Sequence, residues 1–275
     1  MKFKTLLMAS AAVLVAAPAF AADDITAAFY TPAQGKFLSS TTLESRRIKL
    51  DDGGAVFGEE IAKALTASEE LTYGVTDNLA VFGTVANAFN VEKDYNNNRN
   101  FAYELGAKYT MTHNKVLGQV ALSYATFDPR SWWGKEGNDV VPGYSSNKWK
   151  KYINGEVKLG YVLDCGLTPY TTFSVNDEVT HSAKDKSYSW FLGAHKMLDK
   201  VSLDGGFRYD FDSDDFEAWY VQAEANYFVK DNVTVGVFGD YYLGGSPMLK
   251  AGVARVTRKD VEYDYTVGLN AKVAF

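Results

Sequence analysis

The end of the chain, Asp260 to Phe275, alternates apolar and polar residues almost without a break. Odd positions carry Val261, Tyr263, Tyr265, Val267, Leu269, Ala271, Val273 and Phe275. Even positions carry Asp260, Glu262, Asp264, Thr266, Gly268, Asn270, Lys272 and Ala274. Successive side chains of a strand point to opposite faces, so one face here is wholly apolar and the other mostly polar or small. Ordinary sheets use strands of about six residues. A strand this long, with an apolar face along its whole length, suits a bilayer better than a soluble core.

The pattern recurs up the chain. Residues 217–229 set Trp219, Val221, Ala223, Ala225 and Tyr227 against Tyr220, Gln222, Glu224 and Asn226. Residues 150–163 set Ile153, Val157, Leu159 and Tyr161 against Asn154, Glu156 and Lys158. The full reading predicts twelve strands: 36–50, 59–75, 79–90, 100–111, 116–127, 150–163, 168–177, 188–197, 201–211, 217–229, 232–243 and 260–275. Long and short connections alternate between them, and the short ones carry turn chemistry such as Thr76-Asp77-Asn78 and Lys230-Asp231. Two stretches fit less well. Residues 36–50 contain Arg46-Arg47 and alternate poorly, and residues 59–70 also read as an amphipathic helix. Without that first pair the count drops to ten.

Met1 to Ala21 has Lys2 and Lys4, an apolar run from Leu6 to Ala17, and Ala19-Phe20-Ala21 at its end. That three-part pattern predicts a cleaved signal peptide over residues 1–21. An N-terminal periplasmic segment is expected over 22–35 and a barrel over 36–275. No later window is apolar and long enough for a transmembrane helix.

Composition removes several function classes. One cysteine, Cys165, excludes a disulfide framework and leaves no cysteine-built metal site. His113, His181 and His195 lie too far apart for a local metal motif. A formal charge of −6 argues against a nucleic-acid partner. No cofactor is expected.

Together these features predict an all-β chain, a transmembrane antiparallel up-and-down β-barrel. Short turns on one side and long loops on the other are the rhythm of such barrels, and tyrosine and tryptophan near strand ends suit their interfacial girdles. A soluble sandwich or lipocalin-like barrel would share the alternation but not that loop rhythm.

The terminal strand, with Phe275 last and Val273, Ala271, Leu269, Val267 and Tyr265 alternating behind it, resembles that of Gram-negative outer-membrane proteins. The resemblance implies that Phe275 belongs to an assembly signal read by the barrel assembly machinery. It also implies periplasmic chaperones on the way to an outer membrane of lipids and lipopolysaccharide. The hairpin Glu70 to Val81, with its Tyr-Gly-Val-Thr-Asp-Asn turn, is similar to those of small outer-membrane transporter barrels, including ones associated with aromatic compounds.

Glu104, Lys108, Glu156, Lys158, Arg208, Asp210, Glu224, Asp240 and Lys272 fall on the polar face and are the expected pore-lining set. Gly106, Ser123, Gly160, Gly193, Gly206, Gly236 and Gly268 on the same face argue for a hollow interior. Twelve strands lie between the filled eight-stranded barrel and the open sixteen-stranded one. The longest loop, Asp128 to Trp149, holds Trp132, Trp133 and Trp149 as possible ligand-binding or constriction residues. The leading expectation is a narrow passive pore for a small solute. The alternatives are an outer-membrane lipid hydrolase using His181 or His195, and a non-conducting structural or adhesive barrel with ligand-binding outer loops.

Overall fold

A computed structural model describes residues 24–50, 60–90, 101–127, 150–179, 186–212, 217–246, 250–251, 254–255 and 261–275. The strands are β1 (Phe37–Leu50), β2 (Glu60–Gly74), β3 (Leu79–Asn90), β4 (Phe101–His113), β5 (Val116–Phe127), β6 (Lys150–Tyr161), β7 (Leu167–Glu178), β8 (Lys186–Leu198), β9 (Val201–Asp212), β10 (Glu217–Lys230), β11 (Val233–Ser246), β12 (Lys250–Ala251), β13 (Ala254–Arg255) and β14 (Val261–Ala274). β12 and β13 form a separate two-stranded ribbon that the alternation did not predict. The other twelve close an antiparallel barrel in the order β1-β14-β11-β10-β9-β8-β7-β6-β5-β4-β3-β2.

Each predicted strand is present, with ends moved by at most a few residues; β11, for example, runs on to Ser246. Where helix was the alternative, the described residues from Glu60 onward are strand, and β1 with β2 completes the count of twelve. The poor alternation of this first pair has a physical reason. Glu70 lines the interior cavity and Leu71 is exposed outside, which puts Glu69 on the outer wall. There its carboxylate accepts hydrogen bonds from Ser39 and Thr41 of β1. The wall is therefore polar at a point where the rest of the barrel is apolar.

Elsewhere the outer face carries the expected apolar band, including Leu105, Leu122, Val237 and Leu269, all more than half exposed. The short connections are tight. Val75 and Thr76 both donate from their backbone N–H to the carbonyl of Leu79. Asn114 and Asp199 adopt positive φ (54° and 52°) in the β4–β5 and β8–β9 turns, a conformation their short polar side chains tolerate. The start of β1 and the end of β14 meet at the same rim. Phe37 and Phe275 exchange backbone hydrogen bonds of 2.7 and 2.9 Å and stack their rings 5.6 Å apart.

The two faces of β5 give a direct test. Leu122 is 63% exposed on the outer wall, whereas Ala121 lines the interior cavity. Leu122→Arg places a cation near the middle of the apolar band and should cost about 2–4 kcal/mol of stability. Ala121→Arg should cost less, because the interior can hydrate it. Urea unfolding of the two variants in lipid vesicles checks this; equal losses would contradict the face assignment.

Candidate functional site

The interior is polar and divides into two regions. Along the wall made by β9, β10, β11, β14 and β1, charged groups neutralise one another. Arg46 grips Asp264 with two hydrogen bonds of 3.0 and 2.7 Å, a bidentate geometry that fixes both groups. Tyr220 donates to the same carboxylate at 2.9 Å, and the Arg208 guanidinium lies 4.4 Å from the Tyr220 ring centre. Arg208 Nε donates to Asp210 at 3.0 Å, and its Nη1 lies 3.7 Å from Asp240. Nearer the other rim, Glu224 accepts from Asn226, Asn270 and Lys272.

The second region is a cavity of about 610 Å³ along β2 to β8, reaching Leu38 and Ser40 of β1 and Lys272 of β14. Glu104, Lys108, Glu156, Lys158 and Lys272 of the expected set line it, together with Glu70, which sequence reasoning passed over. Arg208, Asp210 and Asp240 are placed in the ladder instead, and Glu224 in its own cluster. Trp132, Trp133, Trp149 and His181 lie outside the described residues.

One expectation about the interior is corrected. The inward glycines do not simply leave empty space; several are seats for aromatic rings. A Cβ added at Gly106 would come within 2.5 Å of the Phe82 ring, and one at Gly160 within 2.7 Å of Phe29. Phe191 lies over Gly193 and Phe238 over Gly268 in the same way. Their rings lie on the polar phase of the alternation, and that phase error was the signal available in the sequence.

The end of the cavity nearest the start of β1 is formed by residues 24–31, which turn back into the barrel. Ile25 is buried against Leu38, Phe228 and Ala274. Thr26 Oγ1 donates to Ser202 at 2.7 Å, and Lys158 Nζ donates to the Ala28 carbonyl at 2.9 Å. Phe29 meets Tyr170 edge to face at 5.9 Å, and the hydroxyls of Thr31 and Thr110 lie 2.7 Å apart. Backbone bonds from Gly35 N–H to the Gly74 carbonyl and from Gly74 N–H to the Lys36 carbonyl tie the segment to the end of β2.

His195 is the centre of this docking. Its Nε2 lies 2.7 Å from Asp24 Oδ2, and its Nδ1 lies 3.4 Å from Asp204 Oδ2, an ion-pair rather than a hydrogen-bond distance. Tyr170 donates to the other oxygen of Asp204 at 2.7 Å. Burial alone would raise the Asp24 carboxyl, but its bonds with His195 and Thr26 outweigh burial and hold it below the usual carboxylate range. His195 is thus a lumen side chain committed to two acids. Ser202, the nearby hydroxyl, is bonded to Thr26 and not to His195. No groups able to hold a metal cluster together among the described residues.

The NanC porin structure aligns with a TM-score of 0.50 at 11% identity, covering 82% of this chain and 98% of that one. The COG4313 outer membrane channel from Pseudomonas putida F1 aligns with a TM-score of 0.56 at 11% identity, covering 90% and 98%. No protein-family model and no curated protein matches the chain. The fold is that of the outer-membrane β-barrels, in its twelve-stranded form.

The docking contacts predict an acid-sensitive segment. Asp24 faces His195 and Thr26 directly, with Asp204 behind the imidazole. A carboxyl held below its ordinary value stabilises the docked state above that value, and the contribution is lost as pH falls through the lowered one. Asp24→Asn should remove about 1–3 kcal/mol of docking at neutral pH. Amide hydrogen exchange over residues 25–31 should accelerate in Asp24→Asn at pH 7, and in the unmodified chain below about pH 4. Unchanged protection in both would show that the pair does not hold the segment.

Proposed function

We propose that the chain is a narrow passive pore for small hydrophilic solutes in the Gram-negative outer membrane, with residues 24–31 forming the periplasmic wall of its passage. The observation that carries this reading is the cavity of about 610 Å³ inside a closed barrel. It is lined by charged, hydroxyl and amide side chains, as an aqueous conduit requires. Solutes would move down their gradients without a cofactor or a covalent step. The docked segment and the charge ladder favour a second reading, a non-conducting barrel, because both occupy interior volume. The lipid-hydrolase reading has less support, since His195 is engaged by two carboxylates.

Liposome swelling and planar-bilayer conductance separate the two readings. The refolded protein should admit small sugars or amino acids and show discrete channels with a mild cation preference, since the lumen face holds more acidic than basic groups. Deleting residues 22–35 should raise single-channel conductance about two- to fivefold, as a constriction is removed from a low-dielectric tube. Absence of channels in both forms would overturn the pore reading. Phospholipid cleavage abolished by His195→Ala would replace it with the hydrolase.

A further inference from the structure

Among the described residues, Lys108 stands apart from the other lysines and arginines of the lumen. Arg46 is bonded to Asp264, Lys158 to the Ala28 carbonyl, Arg208 to Asp210 and Lys272 to Glu224. Lys108 has no hydrogen bond or ion pair among the described residues, although it lines the cavity with Glu70 and Glu156 at longer range. A partly buried ammonium without a partner is costly unless something polar completes it.

Two acids that line the same cavity, Glu104 of β4 and Glu70 of β2, show the complementary deficit. Glu104 accepts from Ser123 and Asn154, and Glu70 accepts from Thr72. These donors are neutral, so two carboxylates and one ammonium share the cavity without a bonded counter-ion. A volume of about 610 Å³ is in the range of small-molecule sites.

We infer that this cavity is a binding site for small zwitterions, with the solute carboxylate on Lys108 and its ammonium against Glu70 and Glu104. The inference deepens the pore reading by naming a solute class, and rests on it for transport but not for binding. A solute carrying both charges supplies each missing partner at once, whereas a simple anion meets the carboxylates and a simple cation meets the ammonium. The neighbouring hydroxyl and amide groups would accommodate the peptide or side-chain polar atoms between those ends.

Saturation-transfer NMR titration of the refolded full chain in micelles tests this without requiring conduction. Glycylglycine should bind saturably, and N-acetylglycine and glycinamide, each lacking one charge, should bind at least about tenfold more weakly. Lys108→Met and the double variant Glu70→Gln/Glu104→Gln should each weaken glycylglycine about tenfold or more. Heat-modifiable gel migration would confirm that the variants are folded, and the three-ligand series on the unmodified protein decides the matter if they are not. Equal binding of the three ligands, or no saturable binding of glycylglycine, would overturn the inference. Binding without liposome swelling would leave the site standing and remove the pore reading; swelling without binding would do the reverse.

Discussion

In a hydrocarbon phase no water is available to the backbone, so every N–H and C=O of a spanning segment must find its partner within the protein. The seam between β1 and β14 is where that demand is met last. It pairs Leu38 with Ala274 through Leu50 with Val261, which leaves the sheet without an edge. The rest of the architecture follows from this closure. An even number of strands brings Phe37 and Phe275 to one rim, and the residues preceding β1 join it at that rim as well. The segment from Asp24 to Gly35 is therefore delivered to the mouth of the barrel, where its apolar residues can bury themselves only by entering.

Inside, the same low dielectric governs the charges. An isolated ion in such a tube is expensive, and pairing or hydrogen bonding is the general remedy. The ladder from Arg46 to Asp240 applies it along one wall, with Tyr220 joining the guanidinium of Arg208 to the Arg46–Asp264 pair. Along the opposite wall the remedy is incomplete, and the volume is left open there. Charge balance and space are thus coupled: where ions satisfy one another the lumen closes, and where they do not a cavity persists.

Much of this was legible in the sequence because alternation reports a strand and its faces together. Val235, Val237 and Leu269 are outside, and Thr234 and Asn270 inside, as period two requires. Legibility failed where a residue broke phase for a local reason. Glu69 sits on the outer wall because Ser39 and Thr41 supply its hydrogen bonds, and a single-strand pattern carries no information about a neighbour's hydroxyls. In sequence the inward Gly106 and Gly160 look like empty space, because their ring partners, Phe82 and Phe29, lie on other elements. The docked segment was hardest. It has no periodicity, and Asp24 finds His195 and Thr26 finds Ser202 across more than half the chain. The candidate site inherits both qualities: its polar lining could be listed from the alternation, but not which charges would pair.

The barrel and its N-terminal segment differ in how firmly they are held. A strand of the wall is bonded to neighbours along its whole length, so moving it breaks many backbone bonds in a medium that offers no replacement. The segment is held by two apolar anchors, Ile25 and Phe29, and a short series of polar contacts, each worth on the order of 1 kcal/mol. Against them stands an ordering cost of about 1–2 kcal/mol for every residue fixed. Water entering the lumen can replace the polar contacts one for one, which it cannot do for the wall. The segment is therefore the low-stability unit of the molecule, able to open while the barrel remains intact. Its hold concentrates in Asp24 and His195, because that charged pair is the contact water replaces least well.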